Sequence, residues 1–354
     1  MIDFFNVKQQ YQQDREVYLD LADRVYSSGQ VINGEYCRRL ETSLKQRTGR
    51  KHCVLTASCT DALAFVGRYY ISLGDTVVFP EISFPATSAG FTREHNPYNF
   101  YTKYVTVDAN GQIDIEQLQD LLAEPGNKVV VWANLFGHTV DYDRLAEIQA
   151  RNPHTIFVED AAQSFGAMWN HTASGAMGSA SCVSFDPTKN LSALGLGGAM
   201  LTDNSALAEA VDLHRRPHTA QWINHGHNSQ INEVDAAVVW WKLENRFDQW
   251  QQRRTDIANY YISQLEDKVD LVLPNQKCTS AWHKFVIKHH NRSSLKNKLK
   301  ELGVDTRVHY PRTLDNNETE FTRSCLSLPI YPELTDSEVE HVAKSTVSAI
   351  KLLS

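Results

Sequence analysis

The chain has 354 residues, 42% of them hydrophobic, which supports a sizeable core and exceeds what one ordinary core holds, so one large and one smaller domain are expected. A formal charge of −7, from 35 basic and 42 acidic side chains, gives no overall pull toward nucleic acid or an anionic membrane. No apolar stretch reaches the length of a membrane span, and the start, Met1-Ile2-Asp3-Phe4-Phe5-Asn6, carries an early acid and no signal-like apolar region; a cytoplasmic location is expected.

In chain order, residues 8–48 place apolar positions at helical spacing around the break Ser27-Ser28-Gly29-Gln30-Val31-Ile32-Asn33-Gly34, which predicts two helices about a loop. Seven β-prone runs follow, at 53–57, 76–80, 104–107, 129–133, 155–159, 181–185 and 199–202. Segments 60–73, 114–122 and 141–150 are long enough to be crossover helices, so an α/β alternation with a mostly parallel seven-stranded sheet flanked by helices is expected. After about residue 240 the pattern changes. Residues 244–265 read as one long helix, 270–273, 282–288 and 305–309 as strands, and 293–302 and 335–352 as helices. The division is therefore 1–240 as the large domain and 241–354 as a small C-terminal α+β domain.

Six scattered cysteines form no close C-x-x-C pair and read as reduced thiols. His225 and His227 are two apart and His289-His290 adjacent; neither has the i, i+4 pairing of a helical metal site, and no metal is expected. Neither G-x-x-x-x-G-K-[ST] nor a G-x-G-x-x-G after the first strand is present, which weighs against ATP and NAD enzymes.

Ligands of parallel sheets bind at the carboxyl ends of the strands, and polar residues cluster there. Ser58-Cys59-Thr60-Asp61 opens a helix that either holds a phosphate on its free amides or is capped by an ordinary Ser or Thr. Glu159-Asp160 ends a buried strand with two acids, each of which needs a partner or water. Lys189 falls in a turn between the runs at 181–185 and 199–202, just before Gly197-Gly198.

The order and spacing of several motifs resemble the fold-type I pyridoxal-phosphate enzymes, and within them the DegT-like family of nucleotide-sugar aminotransferases. The motifs are Ser28-Gly29-Gln30-Val31-Ile32-Asn33-Gly34, Ser58-Cys59-Thr60-Asp61-Ala62-Leu63, Gly74-Asp75-Thr76-Val77-Val78, Glu159-Asp160-Ala161-Ala162-Gln163, Ser184-Phe185 with Lys189, Gly197-Gly198, Gly226-His227-Asn228-Ser229, Ala236-Ala237 and Leu328-Pro329 with Pro332. The resemblance runs through nearly the whole chain.

It implies that Lys189 forms the internal aldimine with pyridoxal 5'-phosphate and that Asp160 pairs with the pyridine nitrogen. Phe84 stacks on the ring and Gln163 lies near its phenolic oxygen. Cys59, Thr60 and Ser184 bind the phosphate, Asn228 reaches it from a neighbouring subunit, and a homodimer with composite sites follows. His309 and Tyr310 either shape the sugar-nucleotide cleft or simply end a strand. The implied reaction is ping-pong, with L-glutamate as donor, pyridoxamine 5'-phosphate as the intermediate cofactor form and a keto-sugar nucleotide as acceptor. The pattern from Pro187 to Gly195, with Asn228-Ser229 and Glu233, looks more like the branch acting on 3-oxo sugars than the 4-oxo branch. Other readings stay open. A related sugar dehydratase has histidine in place of the Schiff-base lysine, and Lys189 argues against it. An amino-acid aminotransferase or desulfurase would use an arginine such as Arg307 or Arg312 for the substrate carboxylate. A non-catalytic scaffold relative would tolerate loss of site residues, and none is missing.

Overall fold

A computed structural model describes residues 1–91, 99–216 and 226–353. At the N-terminus three helices replace the expected two: α1 (Val7–Gln13), α2 (Arg15–Ser28) and α3 (Glu35–Thr48). The break between the first two is Asp14, whose backbone leaves helical geometry, with φ −120° and ψ 21°, and whose buried carboxylate accepts from Arg246 Nε at 3.2 Å. That partner lies 232 positions away, so no local pattern announces it.

The large sheet is formed by β1 (His52–Thr56), β2 (Thr76–Pro80), β3 (Tyr101–Val105), β4 (Lys128–Ala133), β5 (Ile156–Asp160), β8 (Ala180–Ser184) and β9 (Gly198–Thr202), in the spatial order β1-β9-β8-β5-β4-β2-β3. Two short strands intervene in the chain, β6 (Met168–Trp169) and β7 (Thr172–Ala173). Four of the six pairings are parallel; β9 alone runs against both its neighbours. All seven strands fall where apolar runs predict them, within a few residues, because a sheet covered on both faces is built from continuous Val-, Ile- and Phe-rich segments.

Successive residues point to opposite faces. On one face Val129, Val131 and Val158 pack with Leu63 and Phe65 of α4 (Cys59–Tyr70) and Phe91 of α5 (Pro85–Phe91), and Leu207 and Val211 of α8 (Ser205–His214) join them. On the other, Val130, Trp132 and Phe157 meet α6 (Ile115–Leu122) and α7 (Tyr142–Arg151). Farther along that face Leu55, Val183 and Leu201 meet α3 and α9 (Glu233–Asn245). Each fully buried valine, leucine or phenylalanine contributes roughly 2 kcal/mol by area, so the three-layer core dominates the fold.

The long helix expected at 244–265 is two helices, α9 and α10 (Phe247–Leu265), meeting at Arg246, where φ −128° and ψ −32° break the path. The same Arg246–Asp14 pair holds this joint. Residue 240 lies within α9. Helix α10 begins with Phe247 in the large core and ends with Tyr261 and Leu265 in a second core. That second core covers a three-stranded antiparallel sheet of β10 (Asp270–Val272), β12 (Phe285–Lys288) and β13 (Cys325–Leu328), packed with α11 (Arg292–Glu301) and the last helix, α13 (Asp336–Leu353), while the short α12 (Glu320–Ser324) leads into β13. The strand expected at 305–309 is not one: only Arg307 bridges, to Ser327, and the third strand is β13. The N-terminal residues join this unit, since Ile2 bridges Val304 and packs in the second core. A further small sheet pairs β6 with β7 and with β11 (Cys278–Thr279), tying the two halves together. Among the described residues no helix is long and apolar enough to cross a membrane, and no group of three His, Cys, Asp or Glu side chains is placed to hold a metal.

Candidate active site

A cavity of about 510 Å³ opens at the carboxyl ends of β1, β2, β4, β5 and β8. These five strands point the same way, so the residues that follow them converge. The cavity brings together Cys59, Thr60, Phe84, Asp160, Gln163, Ser184 and Lys189. Tyr310 reaches its edge through its hydroxyl, which accepts a hydrogen bond from Gln163 Nε2. His309, beside it, is turned toward Ser327, with Nδ1 2.7 Å from Oγ. Asn228 does not line this cavity; its side chain is exposed and accepts from Gln230 Nε2 at 3.3 Å. His225 lies outside the described residues.

The two acids ending β5 face opposite ways. Asp160 faces the cavity, accepting from Thr87 Oγ1 at 2.6 Å and the Ala162 amide at 3.0 Å. Burial raises its pKa, opposed by those two bonds and by Lys189. Glu159 is turned away and fully buried, and it accepts from Asn134 Nδ2, Ser174 Oγ, Ser181 Oγ and the Gly175 and Met177 amides, at 2.7 to 3.2 Å.

Lys189 sits in the turn from β8 to β9, half-buried, its Nζ 6.0 Å from the centre of the Phe84 ring. Burial lowers its pKa, with Asp160, Cys59 and Asp186 pulling the other way. The turn is anchored along its length. Asn190 donates to the Ala281 carbonyl at 2.6 Å, and the amides of Leu194 and Gly195 donate to Asp235 Oδ1 at 2.9 and 2.8 Å. Lys242, 1% exposed, donates to Ser192 O at 2.8 Å, Ser192 Oγ at 3.1 Å and Gln10 Oε1 at 3.1 Å, which uses all three of its hydrogens. The lysine is thus held by a stiff loop.

Ser58 is the N-cap of α4, its Oγ accepting from the Asp61 amide at 3.1 Å. The first amides of such a helix have no intrahelical acceptor, and here Cys59 and Thr60 carry them into the cavity. Gly198 opens β9 directly against this turn; a Cβ there would lie 2.4 Å from Cys59 N, so only glycine lets the strand pass. Gln163 is committed on both sides, to the Phe136 amide at 3.1 Å and to Tyr310. Tyr310 itself holds a left-handed backbone, φ 56°, directly before Pro311, where the ordinary helical region is disfavoured.

Thr87, Asp235 and Lys242 were not singled out by sequence reasoning as site residues. Thr87 lies three residues beyond Phe84 and had a visible signal, a hydroxyl in the helix start after β2. The other two act through contacts 40 to 50 positions apart and had none.

Pyridoxal phosphate needs an amine for its aldehyde, a carboxylate for its ring nitrogen, an anion cradle and an aromatic face. Lys189, Asp160, the α4 start with Ser184, and Phe84 could hold those four parts within one cavity of suitable size. Among the described residues no cation is bonded to Asp160, whose donors are Thr87 and the Ala162 amide, which suits a site that receives one.

The sequence profile of the DegT/DnrJ/EryC1/StrS aminotransferase family matches residues 12–347. The chain is 31% identical over 96% of its length to the erythromycin biosynthesis sensory transduction protein EryC1 of Saccharopolyspora erythraea, covering 97% of that protein. It is 30% identical over 94% of its length to a dTDP-3-amino-3,4,6-trideoxy-alpha-D-glucose transaminase of Streptomyces venezuelae, covering 92% of that protein. Among solved structures, S. venezuelae DesV in complex with a ketimine intermediate superposes with a TM-score of 0.91 at 27% identity, with 99% of this chain and 98% of that one covered.

Proposed function

The chain belongs to the DegT/DnrJ/EryC1/StrS aminotransferase family, and from that premise we propose that it moves an amino group from L-glutamate to a keto-sugar nucleotide, with pyridoxal 5'-phosphate as cofactor. The observation that carries this reading is the meeting of Lys189 and Asp160 in one cavity with the free amides of α4. Bound there, pyridoxal phosphate supplies an electron sink for a carbanion at the carbon bearing the amine.

The protein's residues do the rest. Asp160 places a negative charge where it favours a protonated ring nitrogen, and Thr87 keeps that carboxylate aimed. Lys189, biased toward its neutral form by burial, takes and returns a proton at the substrate carbon as general base and acid. Phe84 lines the cavity and offers its ring as the aromatic face for the cofactor. Donor and acceptor occupy the same space in turn, which is a ping-pong order.

The acceptor is a 3-oxo sugar nucleotide. Support comes from relatives: one is named for 3-amino sugar formation, and a UDP-2-acetamido-2-deoxy-3-oxo-D-glucuronate aminotransferase of Pseudomonas aeruginosa is 28% identical over 96% of this chain. An amino-acid aminotransferase reading is disfavoured because Arg307 and Arg312 are already paired, with Asp305 at 2.9 Å and Glu318 at 3.2 Å. The exposed Asn228 belongs to a composite site in a homodimer.

The test is to incubate the holoenzyme with L-glutamate and, in parallel, 3-oxo and 4-oxo sugar nucleotides, following amino-sugar formation by mass spectrometry. Product from the 3-oxo acceptor is expected. Product from the 4-oxo acceptor alone overturns the regiochemistry, and none from either overturns the acceptor class.

A further inference from the structure

Lys284 is not used in the reaction as described, yet it stands among the charges of the site. It lies just before β12, its amide donating to Phe136 O at 3.1 Å, and its ammonium is 5.1 Å from the centre of the Phe4 ring. The ionisable groups that act on it are Lys189, Arg254 and Asp186. His309 feels both Lys284 and Lys189, and its ring is 5.5 Å from the same Phe4. Arg307 completes the cluster, 6.0 Å from Phe4.

The positive groups outnumber their partners. Arg307 is paired with Asp305, and Arg254 donates to the Ile330 carbonyl at 2.6 Å. Asp186, the acid that acts on Lys284, spends Oδ1 on the amide and hydroxyl of Thr188, at 2.9 and 2.6 Å. Among the described residues no oxygen accepts a hydrogen bond from the ammonium of Lys284. Lys284 is half-buried, seated on an aromatic ring, and follows His283, whose Nδ1 lies 3.3 Å from Oδ1 of Asn190, the residue after Lys189; an amine so placed is poised for an anion brought by the ligand.

We propose that Lys284 docks a carboxylate of the substrate whose reacting carbon lies at Lys189. The inference rests on the aminotransferase reading. Two substrates could carry that carboxylate: the amino donor, or an acceptor sugar bearing an acid. Burial and the neighbouring cations push Lys284 down to about 7, so an incoming carboxylate at pH 8 draws a proton onto it, whereas at pH 6 the proton is already there.

The experiment compares wild type, Lys284→Met and Lys284→Arg as holoenzymes. Calorimetry with glutarate, in two buffers of different ionisation enthalpy, reads affinity and proton uptake. Single-turnover absorption reads the apparent affinity for L-glutamate, and steady-state assays read KM for 3-oxo acceptors with and without a sugar carboxylate. For a donor carboxylate, Lys284→Met weakens glutarate and L-glutamate by about ten- to hundredfold, abolishes proton uptake at pH 8, and Lys284→Arg restores most of the affinity. For an acceptor carboxylate, the loss falls on the acidic acceptor and spares the neutral one. If glutarate, L-glutamate and both acceptors change by less than twofold, or if neutral and acidic acceptors lose equally with the donor untouched, the proposal is wrong. Failure of wild type to react with L-glutamate would count against the aminotransferase reading instead, while glutarate binding to wild type, Lys284→Met and Lys284→Arg still judges Lys284.

Discussion

Glu159 and Asp160 are consecutive carboxylates at the end of one buried strand, and the two sides of the sheet give them opposite work. On the closed side, three side chains and two amides converge on Glu159, and the acid ties together β4, β8 and the loop before β8. On the open side, Asp160 has two donors and a lysine in its field, with a cavity in front of it. Burial raises the pKa of both, so burial does not tell them apart. The number of donors does: a saturated carboxylate is a structural strut, and an unsaturated one is available for chemistry.

That contrast can be broken by substitution. The largest effect is expected at Lys189→Ala, where turnover falls to background while the thermal midpoint holds or rises, because a half-buried amine has been removed. Asp160→Asn should lower kcat by about a hundredfold or more with little change in stability. Glu159→Ala should do the reverse in kind, costing about 3 kcal/mol or more in denaturant unfolding by leaving buried donors unmet. If Asp160→Asn unfolds the protein and Glu159→Ala only slows it, the roles are exchanged. Thr87→Val sharpens the comparison, since it removes one of the two donors to Asp160; a loss of about tenfold in kcat is expected, with KM for the acceptor unchanged. The smallest effect is expected on the surface, where Arg144→Ala breaks an exposed pair with Glu116 and should shift stability by less than about 0.5 kcal/mol.

The large sheet was legible in the sequence because each of its strands is a short apolar run bounded by turn residues, and α4, α6 and α7 fill the intervals between them. The polar residues at the end of β5 and at the α4 start were legible because a parallel sheet delivers its strand ends to one place, whereas Lys189 was singled out by the family resemblance. The small sheet was harder to read. In β13, Cys325-Leu326-Ser327-Leu328 is four residues long and interrupted by a serine, while 305–309 alternates more convincingly yet makes one bridge only. Breaks at Asp14 and Arg246 depend on each other across 232 residues and have no local sign. The same holds for the anchors of the Lys189 turn and for Phe4, which meets Lys284 only because the N-terminus pairs with the small domain. Periodicity reports an element's own face; it is silent on which distant side chain ends that element or stiffens a loop.

The most direct measurement is the near-visible absorption of the purified protein reconstituted with pyridoxal phosphate, before and after L-glutamate, in wild type and Lys189→Ala. The account predicts a band in wild type that glutamate converts to a shorter-wavelength form, and no such band in the variant. A folded wild-type protein that shows no band, or a variant that shows and converts it as wild type does, would contradict the assignment of Lys189 as the centre of the site.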